Sequence, residues 1–173
     1  MKLADTPTLL PIPLLADSRG AFAKPFSDAE AGFQIRELFW TRSSRGSIRG
    51  MHFQTPPHDL HKLVWVSQGS IVDVVVDVRK HAGFGATSVF ELSADQGSAV
   101  WVPSGFAHGF QALEDDTVVN YAVDAVYAPS NDTGVRWDSF GFAWPLAPGA
   151  ISERDASFAS LDEFESPFEV ADR

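Results

Sequence analysis

Two histidines lie in short segments in which glycine and aromatic residues flank them. His52 lies in the sequence RGMHFQ at residues 49–54, and His108 lies in PSGFAHGF at residues 103–110. Imidazole changes its protonation state near neutral pH, so a histidine that a strand holds toward a cavity can remove a proton from carbon beside a ketone. A lone histidine is more often a hydrogen-bonded residue of the core or surface. Two in such similar settings favour acid–base chemistry.

Basic residues are few, but four of them flank the first histidine. Arg42, Arg45 and Arg49 precede His52, and Lys62 follows it. Such a cluster is equally typical of a site for one anionic small ligand and of a solvated strand edge that charge protects from pairing with another chain. These residues alone leave both interpretations open.

Composition narrows the classes of protein to which the chain can belong. Its 173 residues, 45% of them hydrophobic, should form one domain over residues 1–173 with its own core. The absence of cysteine excludes disulfides, thiolate catalysis and cysteine-ligated zinc. A net charge of -10 argues against nucleic-acid binding, because no basic stripe is available to neutralise phosphates. The sequence contains no apolar run of membrane-span length, and its first residues lack the apolar segment and cleavage site typical of a signal peptide. We therefore expect no membrane association and a cytoplasmic location.

The middle of the chain predicts an all-β fold, because short strands alternate with turn signals as in a β-sandwich or barrel. Predicted strands cover residues 8–15, 62–66, 71–78, 86–92, 99–102, 108–113 and 117–126. In the strand at 71–78, the even-numbered valines form an apolar face that should meet the core. Asp73 and Asp77 lie on the opposite face, toward solvent or a polar cavity. A short helix is also expected around residues 28–32.

Two local features require particular backbone geometry. Strand alternation places His52 and Arg49 on opposite faces, so a bulge near Gly50 is needed if both are to line one pocket. Near the C-terminus, Ser152 has the position of a helix N-cap, and Asp155 then occupies the capping-box position of a short helix. Local sequence alone therefore assigns Asp155 a structural role.

The spacing around the two histidines partly fits the two sequence motifs of cupin proteins. Residues 97–112 carry the glycine, the Pro-x-Gly and the histidine of the second motif but lack its terminal asparagine. In the first motif the glycine and His52 are correctly spaced, whereas Gln54 replaces a second histidine. A divalent metal needs three or four ligands at one point, and only His52 and His108 are plausible donors. We therefore expect no metal, although the histidines and aspartate of residues 58–61 keep the question open.

An ordered series of motifs resembles the dTDP-4-dehydrorhamnose 3,5-epimerase family from about residue 17 to residue 160. The motifs are RGMHFQ at 49–54, KLV at 62–64, residues 69–79, PSGFAHGF at 103–110, YAP at 127–129, RWD at 136–138 and WP at 144–145. The resemblance implies a cupin-type β-jelly roll with short C-terminal helical segments. It also implies a homodimer that uses neither metal nor organic cofactor on a nucleotide-diphosphate 4-keto-6-deoxy sugar.

The resemblance assigns roles to individual residues. His52 matches the general base and Asp155 the carboxylate paired with it, which displaces the capping interpretation of Asp155. Tyr121 matches the proton donor across the sugar ring, and Lys62 matches the cation that supports the ketone oxygen as negative charge accumulates. The residues implied in substrate binding are Arg19, Lys24, Arg49, Gln54 and His108.

The chain departs from the family pattern on the nucleotide side. Lys24 stands where a glutamate is usual, and the sequence ELFWT at residues 37–41 replaces Gln-x-Asn-x-Ser. Stacking of a base on Phe39 or Trp40 would accept any nucleotide, since every base has a π face. A relaxed or altered nucleotide preference is therefore predicted.

The implied reaction is inversion at C3, at C5 or at both, beside the C4 ketone. The nearest alternatives are a single-centre epimerase and a 3,4-ketoisomerase, acting on another nucleotide sugar such as a CDP sugar. A noncatalytic sugar-binding cupin and a metal-dependent cupin oxygenase are alternatives of other classes. The joint presence of His52, Asp155 and Tyr121 favours an enzyme.

Overall fold

Short strands form nearly all of the regular structure in the computed structural model, which describes residues 4–27 and 33–169. The helix expected around residues 28–32 lies outside the described residues. The strands are β1 (Thr8–Pro11), β2 (Leu14–Asp17), β3 (Gly20–Ala23), β4 (Glu37–Ser43), β5 (Ile48–Gln54), β6 (Lys62–Gln68), β7 (Ser70–Asp77), β8 (Thr87–Ser93), β9 (Ser98–Val102), β10 (Phe106–Ala112), β11 (Thr117–Val123) and β12 (Asp132–Gly134). A helix α1 (Glu153–Ala156) and a 3₁₀ helix (Leu161–Glu163) follow.

Two five-stranded sheets face each other. Their strand orders are β1-β9-β6-β11-β4 and β12-β5-β10-β7-β8, and β2 and β3 form a separate two-stranded ribbon. All of these strand pairs are antiparallel. The arrangement confirms the predicted all-β jelly roll and its short C-terminal helical segments. Neither described helix is long and apolar enough to cross a membrane.

The segment predicted as one strand over residues 8–15 is two strands in the structure. β1 pairs with β9, whereas β2 pairs with β3. Ile12 and Pro13 separate them, and the Ile12 N–H donates to the carbonyl of Gly97. Proline has no N–H to donate to a ladder, so the first pairing ends there and the chain turns into the ribbon.

Strand β7 is buried on both faces, and its even-numbered valines meet a hydrophobic core, as predicted. Its even-numbered valines pack against the C-terminal segment, including Leu161 and Phe168. The other face, with Ile71 and Val75, belongs to the core between the two sheets. Both faces are apolar enough to be covered, so alternation alone could not tell which one meets the opposite sheet. The face that carries Asp73 is the one between the sheets.

The bulge predicted near Gly50 is present. Between the cross-strand pairs that Arg49 and His52 make with β10, β5 has two residues where β10 has one. Gly50 adopts φ +144°, and a Cβ at this position would lie 2.6 Å from the Cα of Gly109. Glycine alone fits this approach. The extra residue turns Arg49 and His52 toward the same side of the sheet.

Candidate active site

A cavity of about 260 Å³ lies between the two sheets. It is lined by β4, β6 and β11 from one sheet and by β5, β10 and β12 from the other, together with loop residues and α1. The lining residues are Glu37, Phe39, Thr41, Arg49, His52, Phe53, Gln54, Leu60, Lys62, His108, Phe110, Tyr121, Val123, Tyr127, Asp132 and Arg154. Titratable side chains therefore reach one space from both sheets.

His52 and Asp155 form a hydrogen-bonded pair at this cavity. His52 Nε2 lies 2.8 Å from Asp155 Oδ1, and Asp155 Oδ2 accepts from the backbone N–H of Gly50 at 3.1 Å. Burial would raise the pKa of Asp155, but the hydrogen bonds from His52 and Gly50 outweigh it and hold that pKa below its usual value. An ionised carboxylate only accepts, so Nε2 carries the proton and Nδ1 is the basic nitrogen.

The capping role of Ser152 coexists with this pair. Ser152 Oγ accepts from the backbone N–H of Asp155 at 3.0 Å, as the sequence predicts for an N-cap. The carboxylate of Asp155 turns to His52 instead of completing the capping box. The short helix thus fixes the backbone of Asp155 while its side chain serves the cavity.

Tyr121 reaches the cavity from the sheet opposite His52. Its ring stacks on Phe39, with centroids 4.7 Å apart and an interplanar angle of 12°, and meets His108 edge-on at 6.2 Å. Burial raises the pKa of Tyr121 above its usual value. The phenol is therefore protonated at ordinary pH, the state that a proton donor requires.

A second histidine–carboxylate pair includes His108, which lines the same cavity. His108 Nε2 is 2.7 Å from Asp73 Oδ2, and both side chains are almost completely buried. His108 is also the cross-strand neighbour of His52. Asp73, predicted to face solvent or a polar cavity, is buried on the face of β7 that lies between the two sheets.

Cationic side chains complete the wall. Lys62 Nζ donates to the carbonyl of His52 at 2.9 Å. Burial lowers the pKa of Lys62 to about 8, although the negative charges of Asp132 and Asp73 partly offset that effect. Arg154 pairs with Asp132 at 2.7 Å. The Lys62 ammonium therefore places positive charge in the cavity beside the backbone carbonyl of His52.

The family model for dTDP-4-dehydrorhamnose 3,5-epimerase matches residues 3–163. The chain belongs to this family. A dTDP-4-dehydrorhamnose 3,5-epimerase from Sinorhizobium fredii is 37% identical over 164 residues, which cover 88% of this chain and 84% of the relative. The family assignment predicted from the motifs is thus confirmed, and the protein is a carbohydrate epimerase, an isomerase.

Solved structures of epimerases share the fold. A dTDP-6-deoxy-D-glucose-3,5-epimerase from Legionella pneumophila, in complex with dTDP-4-keto-L-rhamnose, superposes with a TM-score of 0.90 at 27% identity, covering 97% of this chain and 96% of that one. A 3'-monoepimerase from Streptomyces bikiniensis, in complex with dTDP-quinovose, gives a TM-score of 0.85 at 26% identity, covering 94% and 88%. Double and single epimerases therefore use this same architecture.

Most of the predicted site residues meet at the cavity between the sheets. Those that line it are Arg49, His52, Gln54, Lys62, His108 and Tyr121, and Asp155 joins them through His52. The amide of Gln54 is bonded at both ends to backbone groups, with Oε1 accepting from the Ala128 N–H at 2.7 Å and Nε2 donating to the His58 carbonyl at 2.6 Å. Gln54 therefore shapes the wall by holding two loops.

Two predicted substrate-binding residues, Arg19 and Lys24, do not line the cavity of their own chain. Both are exposed at the β2–β3 ribbon, whose strands pair only with each other. Arg19 forms an ion pair with Asp17 at 2.6 Å. Trp40 also lies outside the cavity lining, because it is on the opposite face of β4 from Phe39. Base stacking on Trp40 within the same chain is thus not supported.

Sequence reasoning missed several lining residues. Arg154 lies in α1, and Asp132 lies in β12, which is not among the predicted strands. No local signal in the sequence points to their ion pair. Glu37 and Phe39 were noted as departures from the family pattern but were not assigned to the cavity wall. Among the described residues, no three histidine or carboxylate side chains converge in a way that would hold a metal ion.

Proposed function

We propose that this epimerase inverts both C3 and C5 of a dTDP-linked 4-keto-6-deoxyhexose. The observation that carries the proposal is the placement of the His52–Asp155 pair and of Tyr121 on opposite sheets across one cavity. The relatives named above support the substrate class, because one is described in complex with dTDP-4-keto-L-rhamnose. A small cavity fits the sugar ring, with the nucleotide extending from its mouth.

Proton transfer follows from this geometry. The C4 ketone acidifies the hydrogens at C3 and C5, and His52 Nδ1 removes one of them while Asp155 stabilises the resulting imidazolium. The Lys62 ammonium stabilises the negative charge that forms on the ketone oxygen. Tyr121 then donates its proton to the same carbon from the other face, so the centre is inverted. Solvent restores the proton of Tyr121 and takes the proton from His52.

The remaining cations suit the diphosphate. Arg49 is held by hydrogen bonds from its guanidinium to Ser43 Oγ and to the Arg42 carbonyl, at 3.0 and 3.1 Å. Such a fixed guanidinium binds phosphate oxygens with little loss of side-chain entropy. We assign Arg49 and His108 to the sugar and phosphate part of the substrate.

Lys62 should give the reaction an alkaline limb. Its pKa of about 8 means that the ammonium, and with it the stabilisation of the enolate, is present below pH 8 and lost above it. We expect kcat/KM to fall about tenfold per pH unit above that point. In kcat the limb should move to higher pH, because the ketone oxygen of the bound sugar accepts a hydrogen bond from the charged lysine.

The control for this limb is Lys62→Arg, which keeps a positive charge that does not titrate in this range. Its kcat/KM should be lower than that of the wild type but flat between pH 7 and roughly 9.5. An unchanged alkaline limb in Lys62→Arg would assign that limb to another group.

A homodimer is part of the proposal. The β2–β3 ribbon is exposed along its whole length, with Leu15 65% and Phe22 58% exposed. A two-stranded ribbon with apolar side chains in water is marginally stable, so a second copy is its natural cover. In such a dimer the ribbon presents Arg19 and Lys24 to the nucleotide in the other copy's cavity. We further propose a single domain and a cytoplasmic location.

One experiment tests the reaction and the nucleotide together. Purified protein with excess EDTA and no added cofactor is incubated in deuterium oxide with dTDP-, CDP-, UDP- and GDP-4-keto-6-deoxyhexoses, and NMR follows each carbon. We expect deuterium at C3 and C5 of the dTDP sugar and an inverted product. Phe39 and Glu37 replace the family's polar residues at these positions. We therefore also expect the inhibition constants of free dTDP and of the other nucleotides to differ by less than about a hundredfold.

Other outcomes of this panel identify the alternatives. Deuterium at C3 or C5 alone indicates a single-centre epimerase, and migration of the keto group indicates a ketoisomerase. Activity that EDTA removes and one divalent ion restores indicates a metal-dependent cupin. No exchange on any sugar would contradict catalysis of this class altogether.

A further inference from the structure

Phe39 packs directly on the side chain that we assign as the proton donor. Phe39 on β4 and Tyr121 on β11 are cross-strand partners in register, and their rings are stacked 4.7 Å apart at 12°. The family pattern has an asparagine at this position, so the stack belongs to this chain rather than to the motif. Phe39 also lines the cavity, so it touches both Tyr121 and the space that the sugar would occupy.

The stack limits how Tyr121 can move. One face of its ring is covered by Phe39, and the ring makes a T-shaped contact with His108, whose side chain is paired with Asp73. Aromatic contacts from two directions hold the ring in one orientation. His52 and Asp155 lie across the cavity from Phe39. Among the described residues, the His52 ring makes no contact with the Phe39 ring.

We propose that Phe39 positions Tyr121 for the second proton transfer and thereby determines how much of the enolate is inverted. This inference rests on the proposed function. The enolate formed by His52 has two fates. The imidazolium can return a proton to the original face, or Tyr121 can donate one to the opposite face. Both remake a C–H bond, but only the second inverts the centre.

The competition between these fates depends on the placement of the phenol. Proton transfer slows steeply when donor and acceptor leave their reactive geometry, and a displacement of about 1 Å can cost about a hundredfold. Loosening Tyr121 slows only its own transfer, since abstraction by His52 precedes it. His52 is partly exposed, so its proton exchanges with solvent and a returned enolate becomes labelled in deuterium oxide. Return without inversion is therefore visible as exchange into unchanged sugar.

The test is the ratio of inverted product to labelled but uninverted substrate in early turnover on the dTDP sugar in deuterium oxide. In Phe39→Leu we expect this ratio to fall by about tenfold to a hundredfold, while total exchange stays within about twofold of wild type. Phe39→Tyr keeps a stacking ring and should restore the ratio. Trp40→Leu removes an aromatic side chain from the opposite face of the same strand and should leave the ratio at the wild-type value.

Several results would contradict the positioning role of Phe39. An unchanged ratio in Phe39→Leu overturns it, and so does a parallel loss of exchange and inversion, which would make Phe39 a packing or binding residue. A lower ratio in Trp40→Leu would also overturn it, because the effect would then follow general loosening of β4. If the wild type shows no deuterium exchange at any carbon, the proposed function fails as well. If wild-type exchange is normal but the ratio is unchanged in Phe39→Leu, only this inference fails.

Discussion

His52→Asn should abolish deuterium exchange at both C3 and C5 of the sugar while leaving the fold intact. Nδ1 of His52 is the assigned base, and the carboxylate of Asp155 both fixes its tautomer and stabilises its charged form. Loss of a positioned general base typically costs about 10²- to 10⁴-fold. NMR exchange rates in deuterium oxide measure the effect, and the thermal unfolding midpoint shows whether the variant is folded.

The chain offers a matched control in another partly exposed histidine–aspartate pair. His61 Nδ1 lies 2.8 Å from Asp124 Oδ2, and the His61 ring stacks on Trp101, yet His61 does not line the cavity. His61→Asn should catalyse deuterium exchange at both carbons at nearly the wild-type rate. Exchange in His52→Asn at more than about a tenth of wild type would be too much for a variant without its base, and would require another group to remove the proton.

Two features of the site could be predicted from local constraints within one segment of the chain, whereas the roles of the catalytic residues came from the resemblance to a known family. The bulge at Gly50 was predictable because strand alternation separated Arg49 from His52, and only an extra residue could bring them to one side. The cap at Ser152 was predictable because its geometry involves four consecutive residues. Both predictions are confirmed.

The parts that sequence missed depend on contacts between distant segments. The burial of both faces of β7 required knowledge of the C-terminal segment that covers one of them. The pair of His108 with Asp73 requires the register of β10 against β7, which alternation within one strand does not give. The stack of Phe39 on Tyr121 likewise requires the register of β4 against β11.

The β2–β3 ribbon shows a further limit of prediction from sequence. Arg19 and Lys24 match, by position, residues that serve a nucleotide, but a match in sequence does not say which copy of the chain carries the bound nucleotide. The exposed ribbon separates these residues from their own cavity. Their assignment therefore depends on the proposed dimer, whereas the assignments of His52 and Tyr121 do not.

Tyr121→Phe should separate exchange from inversion more sharply than any other single change. The substitution keeps the ring, its stack on Phe39 and its contact with His108, and it removes only the hydroxyl. Abstraction by His52 should continue, so deuterium should still enter C3 and C5 within a few fold of the wild-type rate. Inversion should fall by about 10²- to 10⁴-fold, the range for loss of a positioned acid.

Tyr127→Phe provides the comparison, because it removes the hydroxyl of the chain's other tyrosine, which is exposed at the cavity mouth. It should leave the ratio of inversion to exchange at the wild-type value. Equal loss of exchange and inversion in Tyr121→Phe would instead show that the hydroxyl binds or orients the sugar before the first proton leaves. In that case the donor on the second face would have to be water or another group, and Phe39 would have no proton donor to position.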